Sequence, residues 1–158
     1  MKHKILFLDC DGVLNKACTD GDTQYFNPDC FLWFRDIVAR TDAKVVLSSS
    51  WRQFNAWYEM LRDFFAVLGI DLIGKTDELD TREEEIGKWI LEHRDEIATY
   101  VVIDDWDMAD AFPGHFVGTC APRRIGLDKD FADAAVAILN APQTPQPERK
   151  DDHESLQV

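Results

Sequence analysis

The stretch Lys4-Ile5-Leu6-Phe7-Leu8-Asp9-Cys10-Asp11-Gly12-Val13 decides the fold. A short apolar run that stops at an acid and a glycine reads as a strand buried on both faces, whose C-terminal end carries residues 9–15. Residues 43–48 (AKVVLS) have the same shape and end in hydroxyls; residues 70–73 form a third short run. Residues 99–103 (TYVVI) end in Asp104-Asp105, and residues 115–118 add a fifth candidate strand.

Segments of helical spacing lie between these runs. Pro28 opens a helix through Arg40, with Phe31, Phe34, Ile37 and Val38 on one side. A second, from about Phe54 to Leu68, is expected to bury Trp57, Leu61, Phe64, Phe65 and Leu68 and to stop at Gly69. Asp80 or Thr81 caps a third from Arg82 to about His93, with Ile86, Trp89 and Ile90 inward and acids in the first turn. Residues 131–139 supply the last, and Trp33, Trp57 and Trp89 read as core. Strands separated by helices imply parallel pairing with right-handed crossovers. The expected fold is therefore α/β, a Rossmann-like three-layer sandwich with a mostly parallel sheet of about five strands and helices on both faces. Its strand ends share one rim, where Asp9/Asp11, Ser48/Ser49 and Asp104/Asp105 converge.

A chain of 158 residues, 46% hydrophobic, suits one domain, placed at residues 1–140. Residues 141–158 (APQTPQPERKDDHESLQV) are proline-rich and polar, and read as a mobile tail. Residues 15–27 are too few for a separate cap domain, so the rim is expected to be open. Thirty acids against seventeen bases give a formal charge of -13, which argues against broad non-specific nucleic-acid binding but allows local capture of a small or terminal phosphate. Only four residues follow Met1-Lys2-His3-Lys4 before Asp9, too few for a signal-peptide core or a membrane span, and the reading is cytoplasmic. Cys10, Cys18, Cys30 and Cys120 show no metal-ligand spacing, and His3, His93, His115 and His153 no partner pattern.

Carboxylates crowded on one rim repel one another unless a divalent cation neutralises them, and oxygen ligands without His or Cys favour magnesium. Magnesium keeps positions open for phosphate oxygens, so phosphoryl transfer is the natural chemistry. Asp9, at the end of a rigid strand, is the candidate nucleophile and metal ligand. Asp11, angled away by two residues, is the candidate general acid and base, with Gly12 permitting the turn. A serine hydroxyl and a basic side chain hold the phosphoryl oxygens.

These residues resemble the motifs of haloacid-dehalogenase-like (HAD) phosphatases. Asp9-Cys10-Asp11-Gly12-Val13 is similar to the first motif, residues 45–49 to the second, a basic residue at the head of a helix to the third, and Ile103-Asp104-Asp105 to the fourth. Ser49-Ser50-Trp51-Arg52, Arg82 with Glu85-Ile86 and Trp89, Asp104-Asp105-Trp106-Asp107-Met108 and Gly126-Leu127 resemble the branch associated with Swiss-army-knife RNA-repair proteins. The resemblance implies a minimal-cap, magnesium-dependent phosphatase acting through an aspartyl-phosphate, on a small phosphorylated molecule or a nucleic-acid end. It implies Asp9 as nucleophile and ligand, Asp11 as acid and base with its backbone carbonyl on the metal, and Asp104 or Asp105 as the remaining ligand, Asp105 being the first choice. Counting from the strand gives Ser48 as the phosphate hydroxyl; counting back from Trp51 gives Ser49. Arg82 fits the basic role, with Lys88 in reserve; Trp51, Arg52 and Trp106 are candidates for the substrate mouth.

Two rivals belong to other classes. Gly69-Ile70-Asp71-Leu72-Ile73-Gly74-Lys75-Thr76 satisfies GxxxxGK[ST] and would make the chain a P-loop-type nucleotide-binding protein, if a strand precedes it and a helix opens at Thr76. The other rival is a catalytically silent binding module that keeps the fold. A calcium loop fits poorly, because the downstream glutamate is missing and a strand precedes Asp9.

Overall fold

The computed structural model describes residues 1–16, 26–119 and 126–142. The elements are β1 (His3–Leu8), α1 (Pro28–Thr41), β2 (Lys44–Leu47), a 3-10 helix (Ser50–Gln53), α2 (Asn55–Val67), β3 (Leu72–Lys75), α3 (Arg82–Glu92), β4 (Ile97–Asp104), β5 (Phe116–Gly118) and α4 (Lys129–Asn140). The strands lie in the order β3-β2-β1-β4-β5. Every pairing is parallel.

Alternation along β1 explains both the layers and the unbroken apolar run. Leu6 and Leu8 join Val45, Leu47, Val101 and Ile103 on one face, covered by Phe34 and Ile37 of α1, Leu61 and Phe65 of α2, and Ala135 and Leu139 of α4. Ile5 and Phe7 join Val46 and Val102 on the other, covered by Ile86 and Trp89 of α3 with Met108 and Phe112. A strand covered on both sides has no polar face to show, and Ile5 to Leu8 are all within 1% of complete burial.

Helix starts are set by capping chemistry. Asn27 accepts from the N–H groups of Asp29 and Cys30, with Pro28 in the first turn where its missing N–H costs nothing. Thr81 caps α3 through the N–H of Glu84, and Asp128 caps α4 through that of Phe131.

The structure corrects four expectations. Trp57 and Phe64, expected in the core, are 46% and 45% exposed. The apolar surface of α2 is wider than one face can bury: Leu61 and Phe65 point at the sheet, while Trp57 leans on Trp51 and Phe54. Trp33 is only partly buried against the larger core. The third strand starts at Leu72, because the N–H of Ile70 still closes the end of α2 on the carbonyl of Phe65 and Gly69 takes a φ of 74°. The P-loop reading fails for the same reason: β3 occupies the middle of the proposed loop, the next helix starts only at Arg82, and Lys75 is held by the Arg52 carbonyl and Asn55. Residues 17–25 of the short segment after β1, Cys18, Cys120, and residues 143–158 of the proposed tail lie outside the described residues. Among the described residues, no helix is long and apolar enough to cross a membrane.

Candidate active site

The chain runs outward through β1, β2 and β3, then α3 carries it back across to β4 on the other side of β1. The crevice between β1 and β4 is thus the point where strand order reverses, the usual ligand position in open α/β sheets. Register fixes which side chains meet there. Leu8 pairs with Leu47 and Ile103, and Leu47 with Lys75. The next residue of each strand therefore forms a row across the rim: Thr76, Ser48, Asp9, Asp104. Hydrogen bonds continue the ladders to these residues, from Ser48 N–H to Leu8 O (3.0 Å), Thr76 N–H to Leu47 O (3.0 Å) and Asp9 N–H to Ile103 O (3.2 Å).

Asp9, Asp104 and Asp105 each offer a carboxylate oxygen within 4.8 Å of the others. Arg82, the first residue of α3, reaches Asp104 Oδ2 at 2.9 Å and Asp9 Oδ2 at 3.4 Å. Its guanidinium stands 5.2 Å from the ring of Trp106, which is 62% exposed at the rim. Burial, and then the charge of Asp104, raise the Asp9 carboxyl well above its usual range, against the pull of Arg82. Burial pushes Asp104 up to about 6 while Arg82 holds it down. Burial works against the Arg82 cation, yet Asp9 and Asp104 outweigh it and raise its pKa. Among the described residues Arg82 is the cation paired with this cluster, and carboxylates crowded in a poorly solvated place repel one another. A divalent cation on hard oxygen ligands relieves this, so the donor set fits magnesium.

Asp11 is turned out of that cluster. Its Oδ1 accepts from Asn15 Nδ2 at 2.9 Å and its Oδ2 from Trp51 Nε1 at 3.3 Å. Gly12 makes the turn possible: its φ is 78°, and a Cβ there would lie 2.4 Å from Asp105 Oδ2. The Gly12 N–H donates to Asn15 Oδ1, and Thr119 Oγ1 donates to the Gly12 carbonyl at 2.7 Å.

The hydroxyls divide in a similar way. Ser48 Oγ is fully buried without a hydrogen-bond partner among the described residues, as is Thr76 Oγ1. Ser49 Oγ accepts from Trp51 N–H. Trp51 is wedged between Phe26, 5.4 Å away, and Trp57, 5.5 Å away. Two expected site residues are not brought to the rim. Lys88 pairs with Asp77 and with Glu92 on the surface of α3. Arg52, expected at the mouth, is 5% exposed and bound to Glu85 and three carbonyls, because a guanidinium has five donors to satisfy and the strand ends offer unpaired acceptors.

The sequence profile of the HAD domain in Swiss Army Knife RNA repair proteins matches residues 5–131. The chain belongs to this family. It is a HAD-like hydrolase domain, and the wholly parallel sheet is the fold that membership implies. No curated protein and no solved structure matches it.

Three residues of this HAD domain's site were not singled out from sequence as holding it together: Asn15, Thr119 and Glu85. Asn15 carried one readable signal, a carboxamide four residues after Asp11, the spacing at which a turn folds back on itself. Thr119 and Glu85 act across long separations that no local pattern encodes.

Proposed function

We propose that this HAD domain is a magnesium-dependent phosphohydrolase that cleaves a phosphate monoester through an aspartyl-phosphate on Asp9. The observation that carries this reading is the trio Asp9, Asp104 and Asp105 gathered at the strand-order reversal, with Arg82 paired to Asp9 and Asp104. Magnesium, when bound by Asp9, the Asp11 carbonyl and Asp105 or Asp104, supplies charge that draws a phosphate dianion into an acidic cleft and offsets charge on the phosphoryl oxygens. Asp105 is the preferred second carboxylate, as the resemblance of the fourth motif implies, with Asp104 as the alternative.

Asp9 attacks phosphorus in line, forming an oxygen–phosphorus bond as the ester oxygen leaves. Asp11 gives that oxygen its proton, and afterwards takes one from the water that attacks phosphorus and frees Asp9. Arg82 and the unpartnered hydroxyl of Ser48 bind phosphoryl oxygens as negative charge spreads over them. Ser49 is second choice for that role, because its Oγ already accepts from Trp51 N–H.

A nucleotide or nucleic-acid end is the substrate class that the family's association with RNA repair supports, and the exposed ring of Trp106 beside Arg82 offers such an end a planar surface. The test is phosphate release with magnesium from small esters and from 3′- and 5′-phosphorylated oligonucleotides, comparing the wild type with Asp9→Asn. Release by the wild type and none by a folded Asp9→Asn is expected. Equal release by both removes the nucleophile assignment, and no release by the wild type favours the silent binding module.

A further inference from the structure

Arg52 lies buried behind the ends of β2 and β3 with four partners, and the proposed chemistry leaves it without a part. Its Nη1 donates to the carbonyls of Ser48 (3.2 Å) and Ser49 (2.8 Å), and its Nε to that of Thr76 (3.1 Å). Its Nη2 meets Glu85 Oε2 at 2.6 Å, and both side chains are more than nine-tenths buried. The other oxygen of Glu85 accepts from the N–H of Leu79, in the loop that leads to Arg82. One side chain thus ties the ends of β2 and β3 to the first turn of α3.

Burying an ion pair is a poor way to gain stability, since desolvation cancels most of the attraction, so geometry is the better explanation for such a pair. In a planar trans peptide the N–H of one residue points opposite to the carbonyl of the residue before it. Drawing the carbonyls of Ser48 and Ser49 to the guanidinium therefore turns the N–H groups of Ser49 and Ser50 away from it. Neither N–H donates to any described residue. Two successive backbone donors beside an unpartnered hydroxyl make an oxyanion cradle.

Building on the phosphoryl-transfer reading above, we propose that Arg52 is a positioning residue: its grip on the Ser48 and Ser49 carbonyls aims the N–H groups of Ser49 and Ser50 at the phosphoryl oxygens, while Glu85 fixes Arg82 relative to them. Lysine cannot replace it, having a point charge where three carbonyls and a carboxylate need a fork.

The experiment is a titration with inorganic phosphate in the presence of magnesium, followed through the backbone amide resonances of Ser49 and Ser50, together with ester hydrolysis by the wild type, Arg52→Lys and Glu85→Gln. In the wild type both resonances move. In Arg52→Lys the phosphate needed for half-saturation rises about tenfold or more and kcat/KM falls about 10- to 100-fold. Half-saturation by magnesium stays within about twofold, because Arg52 makes no contact with the carboxylate trio. Glu85→Gln, which keeps the carbonyl bonds, gives a smaller fall of about fivefold. Wild-type amides that ignore phosphate overturn the proposal, as does a folded Arg52→Lys with wild-type titration and kinetics. Should Arg52→Lys not fold, Glu85→Gln decides, and wild-type behaviour there overturns it. The titration needs no turnover, so a wild type that binds phosphate on these amides but hydrolyses nothing sinks the enzyme reading while sparing this one.

Discussion

Arg52 and Arg82 stand on two sides of the same strand ends and are both largely buried, yet their surroundings differ. Arg52 meets one carboxylate and three carbonyls, and its charge is matched. Arg82 meets Asp9 and Asp104 with Asp105 at their side, and among the described residues it is outnumbered. A matched cluster holds chain segments together and needs nothing more. An outnumbered one stores repulsion that only a bound cation or a proton can relieve, and for that reason it can do chemistry. Burial alone does not distinguish the two; the surplus of charge does.

The largest effect expected on this contrast comes from the unbalanced side. Asp9→Asn lowers phosphate release by roughly 10⁴-fold or more, as loss of a nucleophile does, while circular dichroism shows the fold retained. On the matched side, Arg52→Ala strands Glu85 in the interior and lowers the unfolding free energy by about 3 to 5 kcal/mol, read by urea denaturation and not recovered with magnesium. Equal stability losses for Arg52→Ala and Arg82→Met would erase the distinction. Arg82→Met is instead expected to cost about 10²- to 10³-fold in kcat, with a larger thermal shift on adding magnesium than the wild type shows.

Magnesium itself should stabilise the protein by about 2.7 kcal/mol at a concentration 100 times its Kd, and EDTA should reverse this in a thermal scan. The pH dependence of that gain has a definite sign. Asp104 titrates near 6 in the folded chain and Asp9 is raised as well, so between about pH 4 and 6 the folded state binds more protons than the unfolded one. The metal-free protein therefore loses this pair's contribution to stability as pH rises through that window, and the stabilisation by magnesium grows over the same range. A metal-free melting temperature that instead rises steadily from pH 4 to 6 would count against the crowded trio. The smallest effect is Lys88→Ala: its side chain is 42% exposed and paired on the surface, so kcat/KM should stay within about twofold and the melting temperature should be nearly unchanged.

Much of this contrast's unbalanced half was legible before folding. Asp9, Asp104 and Asp105 each sit at the end of an apolar run, and parallel strands put such ends on one rim whatever the details of packing. Arg82 was legible for a similar reason, being the first residue of a helix with a clear cap. Arg52 was not. Its neighbours in sequence are polar and aromatic, as at a substrate mouth, and its true partners, Thr76 and Glu85, lie 24 and 33 positions away. Trp57 and Phe64 misled because helical period shows which residues share a face, but not how wide a face the sheet can cover.

The sequence by itself determined the order of strands and helices, the parallel class of the sheet and the acids at its rim, because periodicity, caps and chain direction are local properties. Only the tertiary structure decided which charges are matched. That depends on register between β1, β2, β3 and β4 and on where α3 lands over the sheet, which bring together residues whose separation along the chain carries no local signal.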